Sequence, residues 1–94
     1  MADVIWRRDA LNDLDGIIAY IEIDDPAAAI RVRNRLVELG DSLTEFPGRG
    51  RPASGGTREM VTVAPYVLVY RLVGDTVNIL AISHGRRQRD PVPE

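Results

Sequence analysis

The chain has 94 residues, of which 45% are hydrophobic and 28% charged, and its formal net charge is −2. This composition is typical of soluble globular proteins and differs from that of disordered or membrane proteins. The length fits one domain over residues 1–94, and the absence of cysteine excludes disulfides and thiolate metal sites.

The charges are divided unevenly along the chain. All 12 basic residues are arginines, and residues 9–45 carry a charge of −6, whereas residues 46–94 carry +3. The N-terminus becomes charged within nine residues, so it holds no apolar stretch long enough for a signal peptide or a membrane span. We therefore expect a cytoplasmic protein whose C-terminal half meets a polar or acidic partner.

Two helices are predicted after a short first strand. Residues 4–6 form a β-prone run that ends at Arg7 and Arg8, which predicts a strand. Apolar residues then recur at three-to-four spacing from Leu11 to Ile21, as in an amphipathic helix. Asp25 followed by Pro26 indicates the start of a second helix, because aspartate caps helices and proline suits the first helical position. The apolar stripe of that helix consists of Val32, Leu36, Leu39, Leu43 and Phe46.

The second half of the chain is predicted to be a loop followed by strands. Residues 47–56 are dense in proline, glycine and serine, which predicts a loop. Residues 57–63 are a candidate strand that Ala64 and Pro65 interrupt. Two further β-branched runs, residues 67–73 and 76–83, are separated by Gly74 and Asp75, which is a two-residue hairpin signal. Residues 86–94 are too polar and proline-rich to join a sheet, so we expect a frayed tail.

A two-residue turn predicts which hairpin residues share a face. Side chains alternate along a strand, and an uninterrupted register pairs Val69 with Leu80. The inner face, toward the helices, is predicted to consist of Leu68, Tyr70, Leu72, Val77, Ile79 and Ala81. The outer face is predicted to consist of Val67, Val69, Arg71, Asn78, Leu80, Ile82 and His84. Such an aliphatic surface needs cover, either from a partner or from the loop or tail of the same chain.

The order of motifs along the whole chain resembles the RelE/ParE family of bacterial toxins, the toxic halves of type II toxin–antitoxin pairs. The motifs are Ile5-Trp6, Ala10-x-x-Asp13-Leu14, Asp25-Pro26-Ala27-Ala28-Ala29, Leu43-x-x-Phe46-Pro47-Gly48-Arg49-Gly50-Arg51-Pro52, Arg58-Glu59, Tyr66-x-Leu68-Val69-Tyr70-Arg71 and Ile82-x-His84-Gly85-Arg86-Arg87. The resemblance implies an α+β fold of order β-α-α-β-β-β, with a helical hairpin packed on one face of a mainly antiparallel sheet. It also implies a cognate antitoxin that wraps the toxin.

The family divides by mechanism, and the residues favour one branch. RelE-like members resemble ribosome-dependent mRNA endonucleases, whereas ParE-like members inhibit DNA gyrase by binding. RNA cleavage needs cations and an acid/base pair on one surface, but Val67 stands where RelE-like enzymes commonly have an arginine. The remaining nuclease candidates are His84, Arg71, Arg58 and Arg86. We therefore predict a ParE-like binding inhibitor without catalytic residues.

The expected contact residues for antitoxin or target are Val67, Val69, Arg71, Leu80, Ile82, His84, Arg86 and Arg87. The simpler alternatives are that His84 has only a structural role and that the arginines after it form a solvated tail. Asp13 and Asp15 are expected on a solvated helix face. No metal, cofactor or direct nucleic-acid contact is predicted. An mRNA endonuclease that uses His84, and a degenerate toxin that binds only its antitoxin, remain the rival functions.

Overall fold

The structure, a computed structural model, describes residues 1–84. The main elements are β1 (Asp3–Trp6), α1 (Arg8–Asp24), α2 (Pro26–Asp41), β2 (Arg51–Pro52), β3 (Arg58–Val63), β4 (Tyr66–Val73) and β5 (Thr76–His84), with 3₁₀ turns at Ser42–Thr44 and Ser54–Gly56. The strand order is β1-β5-β4-β3-β2. β1 runs parallel to β5 and every other pair is antiparallel. The predicted α+β fold is confirmed, with the two-residue β2 as an additional strand; the predicted tail lies outside the described residues.

The boundary between the helices follows the predicted capping. The Asp25 carboxylate accepts a hydrogen bond from the backbone N–H of Ala28 at 3.0 Å, and Pro26 occupies the first turn of α2. This hydrogen bond satisfies one of the backbone N–H groups that have no partner within the first turn of a helix. The apolar stripe of α2 was predicted to reach Phe46, which is wrong, since the helix ends at Asp41 and Phe46 is 62% exposed. Beyond the 3₁₀ turn at Ser42–Thr44, the helical repeat no longer determines where the Phe46 side chain points.

The core lies between the helical hairpin and one face of the sheet. Its fully buried side chains come from both layers, namely Ala10, Leu36, Leu43, Leu68, Tyr70, Val77 and Ile79. α2 approaches the sheet most closely at Gly40, where a Cβ atom would overlap the Trp6 ring and lie 2.9 Å from Ile79 Cδ1. Glycine at this position therefore sets the spacing between helix and sheet.

The β4–β5 hairpin determines which side chains face the helices. Gly74 has a φ of +61° in the two-residue turn, and the predicted register is confirmed as far as the Tyr70–Ile79 pair. A β-bulge follows, so that Val69 lies opposite Ala81 and Leu68 opposite Ile82. One extra residue in β5 moves every later side chain to the other face.

This bulge overturns three predicted positions: it places His84, expected on the outer face, opposite Tyr66 on the α1 side of the sheet, and it moves Ile82 and Ala81. Ile82 was expected on the outer face, but it lies opposite Leu68 in the core and is 5% exposed. Ala81 was expected on the inner face, yet it stands opposite Val69. Val67, also predicted as an exposed contact residue, is 3% exposed.

Candidate functional site

The sheet surface opposite the helices, here called the outer face, is mostly aliphatic. By strand register its members are Ile5, Glu59, Val69, Arg71, Val73, Asn78 and Ala81, with Val61 and Leu80 at the two register shifts beside them. Ile5, Val61 and Val73 are exposed, whereas Val69 and Leu80 are half-buried. Both described helices pack on the other side of the sheet, so the outer face is a partly apolar surface that the fold leaves open to a partner.

Tyr70 and Arg58 hold the glycine-rich segment before β2. The Tyr70 hydroxyl donates to the carbonyl oxygen of Pro47 at 2.7 Å and accepts from the backbone N–H of Gly50 at 2.9 Å. The Arg58 guanidinium donates to the carbonyl oxygens of Gly48 at 3.2 Å and Gly50 at 2.7 Å. A Cβ atom on Gly50 would lie 2.8 Å from the Tyr70 ring, so only glycine fits this approach. Arg58 is thus bound to loop carbonyls.

Arg71 has a similar structural contact at the outer face. Its guanidinium donates to the carbonyl oxygen of Gly55 at 2.9 Å, within the Ser54–Gly56 turn. The loop therefore reaches the outer face at Arg71. Together with Arg58, this contact places two of the four nuclease candidates in hydrogen bonds that order a loop.

His84 lies beside Tyr66 at the far end of the hairpin. The two residues are directly opposite in the β4–β5 register, and their rings meet edge to face with centroids 6.1 Å apart. Tyr66 was not among the residues predicted for a site with His84, because the bulge that brings the two rings together could not be foreseen. An uninterrupted register would pair Tyr66 with Ser83, so the bulge near Leu80 creates the contact.

The three described nuclease candidates do not converge. Arg58 lies opposite Tyr70, four residues along β4 from the Tyr66–His84 pair, a separation of about 13 Å along the strand. Arg71 lies opposite Asn78, about 20 Å along β5 from His84. A site that stabilises a phosphorane needs its cations and its acid/base groups within hydrogen-bond reach of the same phosphodiester. Arg86 and the expected contact residue Arg87 lie outside the described residues.

Asp13 has a defined structural contact rather than a solvated position. β1 pairs with β5 only as far as Ile79, and beyond this point the Asp13 carboxylate accepts the backbone N–H of Ile82 at 2.9 Å. The expectation of a solvated helix face is therefore wrong for Asp13, whereas Asp15 is exposed. The Asp13 contact fastens α1 to the part of the β5 edge that β1 leaves uncovered.

The described residues contain neither a candidate metal site nor a helix suited to span a membrane. Within residues 1–84, no three side chains of the metal-binding types histidine, cysteine, aspartate and glutamate come together as a candidate ion site. None of the helices described there has the length and apolar character that crossing a membrane requires.

Comparison with known sequences identifies related proteins. Residues 4–89 match a family described as the ParE toxin of the type II toxin–antitoxin system parDE. Toxin RelE2 of Caulobacter vibrioides is 45% identical over 87 residues, covering 93% of this chain and 99% of the relative. Toxin RelE1 of the same organism is 40% identical over 83 residues, covering 85% and 89%.

Solved structures agree with this relationship. A chain from the chromosomal ParDE toxin–antitoxin system of P. aeruginosa is similar with a TM-score of 0.78 and 29% identity, covering 89% of this chain and 96% of its own. A chain from the toxin–antitoxin complex RelBE2 of Mycobacterium tuberculosis has a TM-score of 0.67 and 27% identity, with coverages of 88% and 96%. The similarity therefore spans nearly the whole fold described above.

Proposed function

The chain belongs to the ParE toxin family of type II toxin–antitoxin systems, and on this premise we propose that it acts as a binding inhibitor of DNA gyrase. A cognate antitoxin holds it inactive. Both partners lie in the bacterial cytoplasm, so the proposal includes a cytoplasmic location, and it treats residues 1–94 as one toxin domain.

The separation of the nuclease candidates carries the proposal. Arg58 and Arg71 donate to loop carbonyls at opposite ends of the 47–56 segment, and both are more than about 10 Å along the sheet from His84 by strand spacing. The outer face presents exposed aliphatic side chains, among them Ile5 and Val73. Aliphatic groups cannot neutralise the charge of a cleaved phosphodiester, but they suit contact with a protein surface.

The proposed contact surface keeps the residues of the sequence-based prediction that are exposed or half-buried on the outer face. Val69, Arg71 and Leu80 belong to it, and Ile5 and Val73 extend it. His84 remains in the proposal as a separate contact at the end of the hairpin, on the α1 side of the sheet, and Arg86 and Arg87 remain as contacts to be tested. Val67 and Ile82 no longer belong to it, since both are buried.

A ribosome-dependent mRNA endonuclease is the second candidate function. Two of the relatives carry the name RelE, and the Tyr66–His84 contact brings two titratable rings together. An imidazole and a phenol can both serve in proton transfer. The two functions differ in their target, which permits a direct test.

Two assays on the purified toxin separate the candidates. The first measures inhibition of gyrase supercoiling of relaxed plasmid, and the second measures transcript integrity in a translating extract. We expect supercoiling to be inhibited at submicromolar toxin while the transcripts stay intact. Codon-specific transcript cleavage that is lost in both His84→Ala and Tyr66→Phe would establish the endonuclease instead.

The remaining outcome concerns a toxin relative without activity. Inertness in both assays, together with normal growth after expression of the chain without an antitoxin, would contradict both functions. It would leave a protein that only binds its antitoxin. Expression that arrests growth and induces the SOS response agrees with the gyrase proposal, because a stalled gyrase leaves broken DNA.

A further inference from the structure

The last part of β5 can pair with β4 in two ways. An uninterrupted hairpin register would place Ser83 opposite Tyr66, whereas the bulged register places His84 there. A shift of one residue turns every later side chain to the other face of the sheet. The register therefore decides whether His84 lies beside α1 or on the outer face.

The backbone N–H of Ile82 points in different directions in the two registers. Along a strand, the N–H and C=O groups of successive residues face opposite edges. The carbonyl oxygen of Ile79 faces β1, since it accepts the backbone N–H of Arg7 at 2.9 Å. Without a bulge, residue 81 would also face the β1 side, and the N–H of Ile82 would face β4. The bulge turns this N–H away from β4.

The Asp13 carboxylate binds the N–H group that the bulge turns outward. One of its oxygens accepts the Ile82 N–H at 2.9 Å. β1 ends its pairing with β5 at Ile79, so within residues 1–84 no strand covers this part of the β5 edge. A hydrogen bond to a charged acceptor is stronger than a neutral one. Because the bond can form only in the bulged register, it stabilises that register against the uninterrupted one.

Burial of side chains favours the same register. Ile82 lies in the core opposite Leu68 and is 5% exposed, and in the uninterrupted register Ala81 would take its place. Burying isoleucine instead of alanine contributes a free energy of the same order as a charged hydrogen bond. A test of Asp13 therefore has to remove the preference that comes from burial.

We propose that Asp13 is a positioning residue: by accepting the Ile82 N–H it selects the bulged register of β5, and so places His84 beside Tyr66 on the α1 side of the sheet. The selection of the register follows from the contacts alone. The further consequence, that Asp13 controls how His84 contacts the target, rests on the proposed function.

The test uses a background in which burial does not distinguish the registers. Ala81→Val combined with Ile82→Val puts the same side chain at both positions, and we call this variant the balanced background. Opposite Cα atoms of a non-hydrogen-bonded pair are about 4.5 Å apart, so their α-protons give a nuclear Overhauser effect (NOE). We expect this NOE between Leu68 and residue 82 while Asp13 is present. Asp13→Ala should replace it by an NOE between Leu68 and residue 81.

The rings at the end of the hairpin give a second readout. The Tyr66 and His84 rings meet edge to face with centroids 6.1 Å apart, so their ring protons should give NOEs. Asp13→Ala in the balanced background should abolish these NOEs, because His84 then turns to the outer face. In the otherwise unchanged chain, Asp13→Ala should speed hydrogen exchange at the Ile82 amide about tenfold.

Two variants at acidic positions of α1 serve as controls. Asp13→Asn keeps a side-chain oxygen that accepts the N–H, so in the balanced background it should keep the bulged register. Asp15→Ala removes the same charge from an exposed position of the same helix and should leave every NOE unchanged. Cooperative urea unfolding of each variant shows that the fold is intact.

Three outcomes would overturn the proposal. The first is an NOE between Leu68 and residue 82 that persists in Asp13→Ala of the balanced background, because the hairpin would then select the register by itself. The second is a change of register in Asp15→Ala. The third is the uninterrupted register in Asp13→Asn, because the acceptor oxygen would then have no role.

The consequence for the target is measured separately in the supercoiling assay. In the balanced background, His84→Ala and Asp13→Ala should each raise the half-inhibitory toxin concentration about two- to tenfold. Their combination should raise it no further, because both remove the same contact. Multiplied losses would contradict the control of His84 by Asp13. Toxin that is inert toward gyrase but shows the expected NOEs speaks against the proposed target alone.

Discussion

Tyr70 shows how a single buried side chain orders a loop that sequence reasoning regarded as irregular. It is fully buried and makes two hydrogen bonds to the segment before β2. Tyr70→Phe leaves the Gly50 N–H and the Pro47 carbonyl without this partner in a buried place, so we expect unfolding free energy to fall by about 1–3 kcal/mol. Urea denaturation measures this change. Tyr20→Phe is the control, since Tyr20 is 76% exposed, and a control loss of equal size would contradict the argument.

The same scale explains why the sequence alone left the roles of these arginines open. Arg58 and Arg71 are cations on a sheet, and from sequence alone they suit a phosphate site as well as a structural role. Their guanidinium groups donate to carbonyls of residues 48, 50 and 55, which lie eight to sixteen positions away. Hydropathy and periodicity do not indicate hydrogen bonds between a side chain and the backbone of an irregular loop. The structural role therefore appears only when the loop has been placed.

At the scale of elements, replacing glycine with alanine is expected to have opposite effects on stability at two positions in the helices. Gly40→Ala puts a methyl group against Trp6 and Ile79, and we expect a loss of about 1–2 kcal/mol from overpacking. An added Cβ on Gly16 in α1 meets nothing within 4 Å, so Gly16→Ala should gain about 0.5–1 kcal/mol of stability. Thermal and urea unfolding of both variants checks the signs. If both substitutions change the unfolding free energy in the same direction, helix propensity and not the close approach to Trp6 determines their effect.

The hairpin marks the limit of prediction from pattern. Alternation and a Gly-Asp turn were enough to predict β4, β5 and their register up to Tyr70 and Ile79. The bulge after Ile79 has no sequence signal, because Leu80, Ala81 and Ile82 are all apolar and either register buries some of them. Burying Ile82 against Leu68 and bonding its N–H to Asp13 favour the shifted register. That choice depends on α1, which is 69 residues away in sequence.

The whole molecule has two unlike surfaces, and this difference supports a protein target. Residues 9–45, which contain both helices, carry a charge of −6, so the helical layer repels a polyanion. The outer face of the sheet carries aliphatic groups instead, with Arg71 bound to a loop carbonyl. A nucleic acid finds no broad cationic stripe on either surface among the described residues.

The exposed aliphatic groups of the outer face give the last prediction. Ile5 and Val73 are 42% and 58% exposed, so Ile5→Ser combined with Val73→Ser should leave folding intact. If the outer face contacts gyrase, losing roughly 60 Å² of apolar contact costs about 1.5 kcal/mol, and the half-inhibitory toxin concentration should rise about tenfold. The supercoiling assay measures this half-inhibitory concentration. Leu11→Ser combined with Ile23→Ser is the control on α1, where the residues are 45% and 77% exposed; an equal or larger rise in the control would assign target contact to the helical layer.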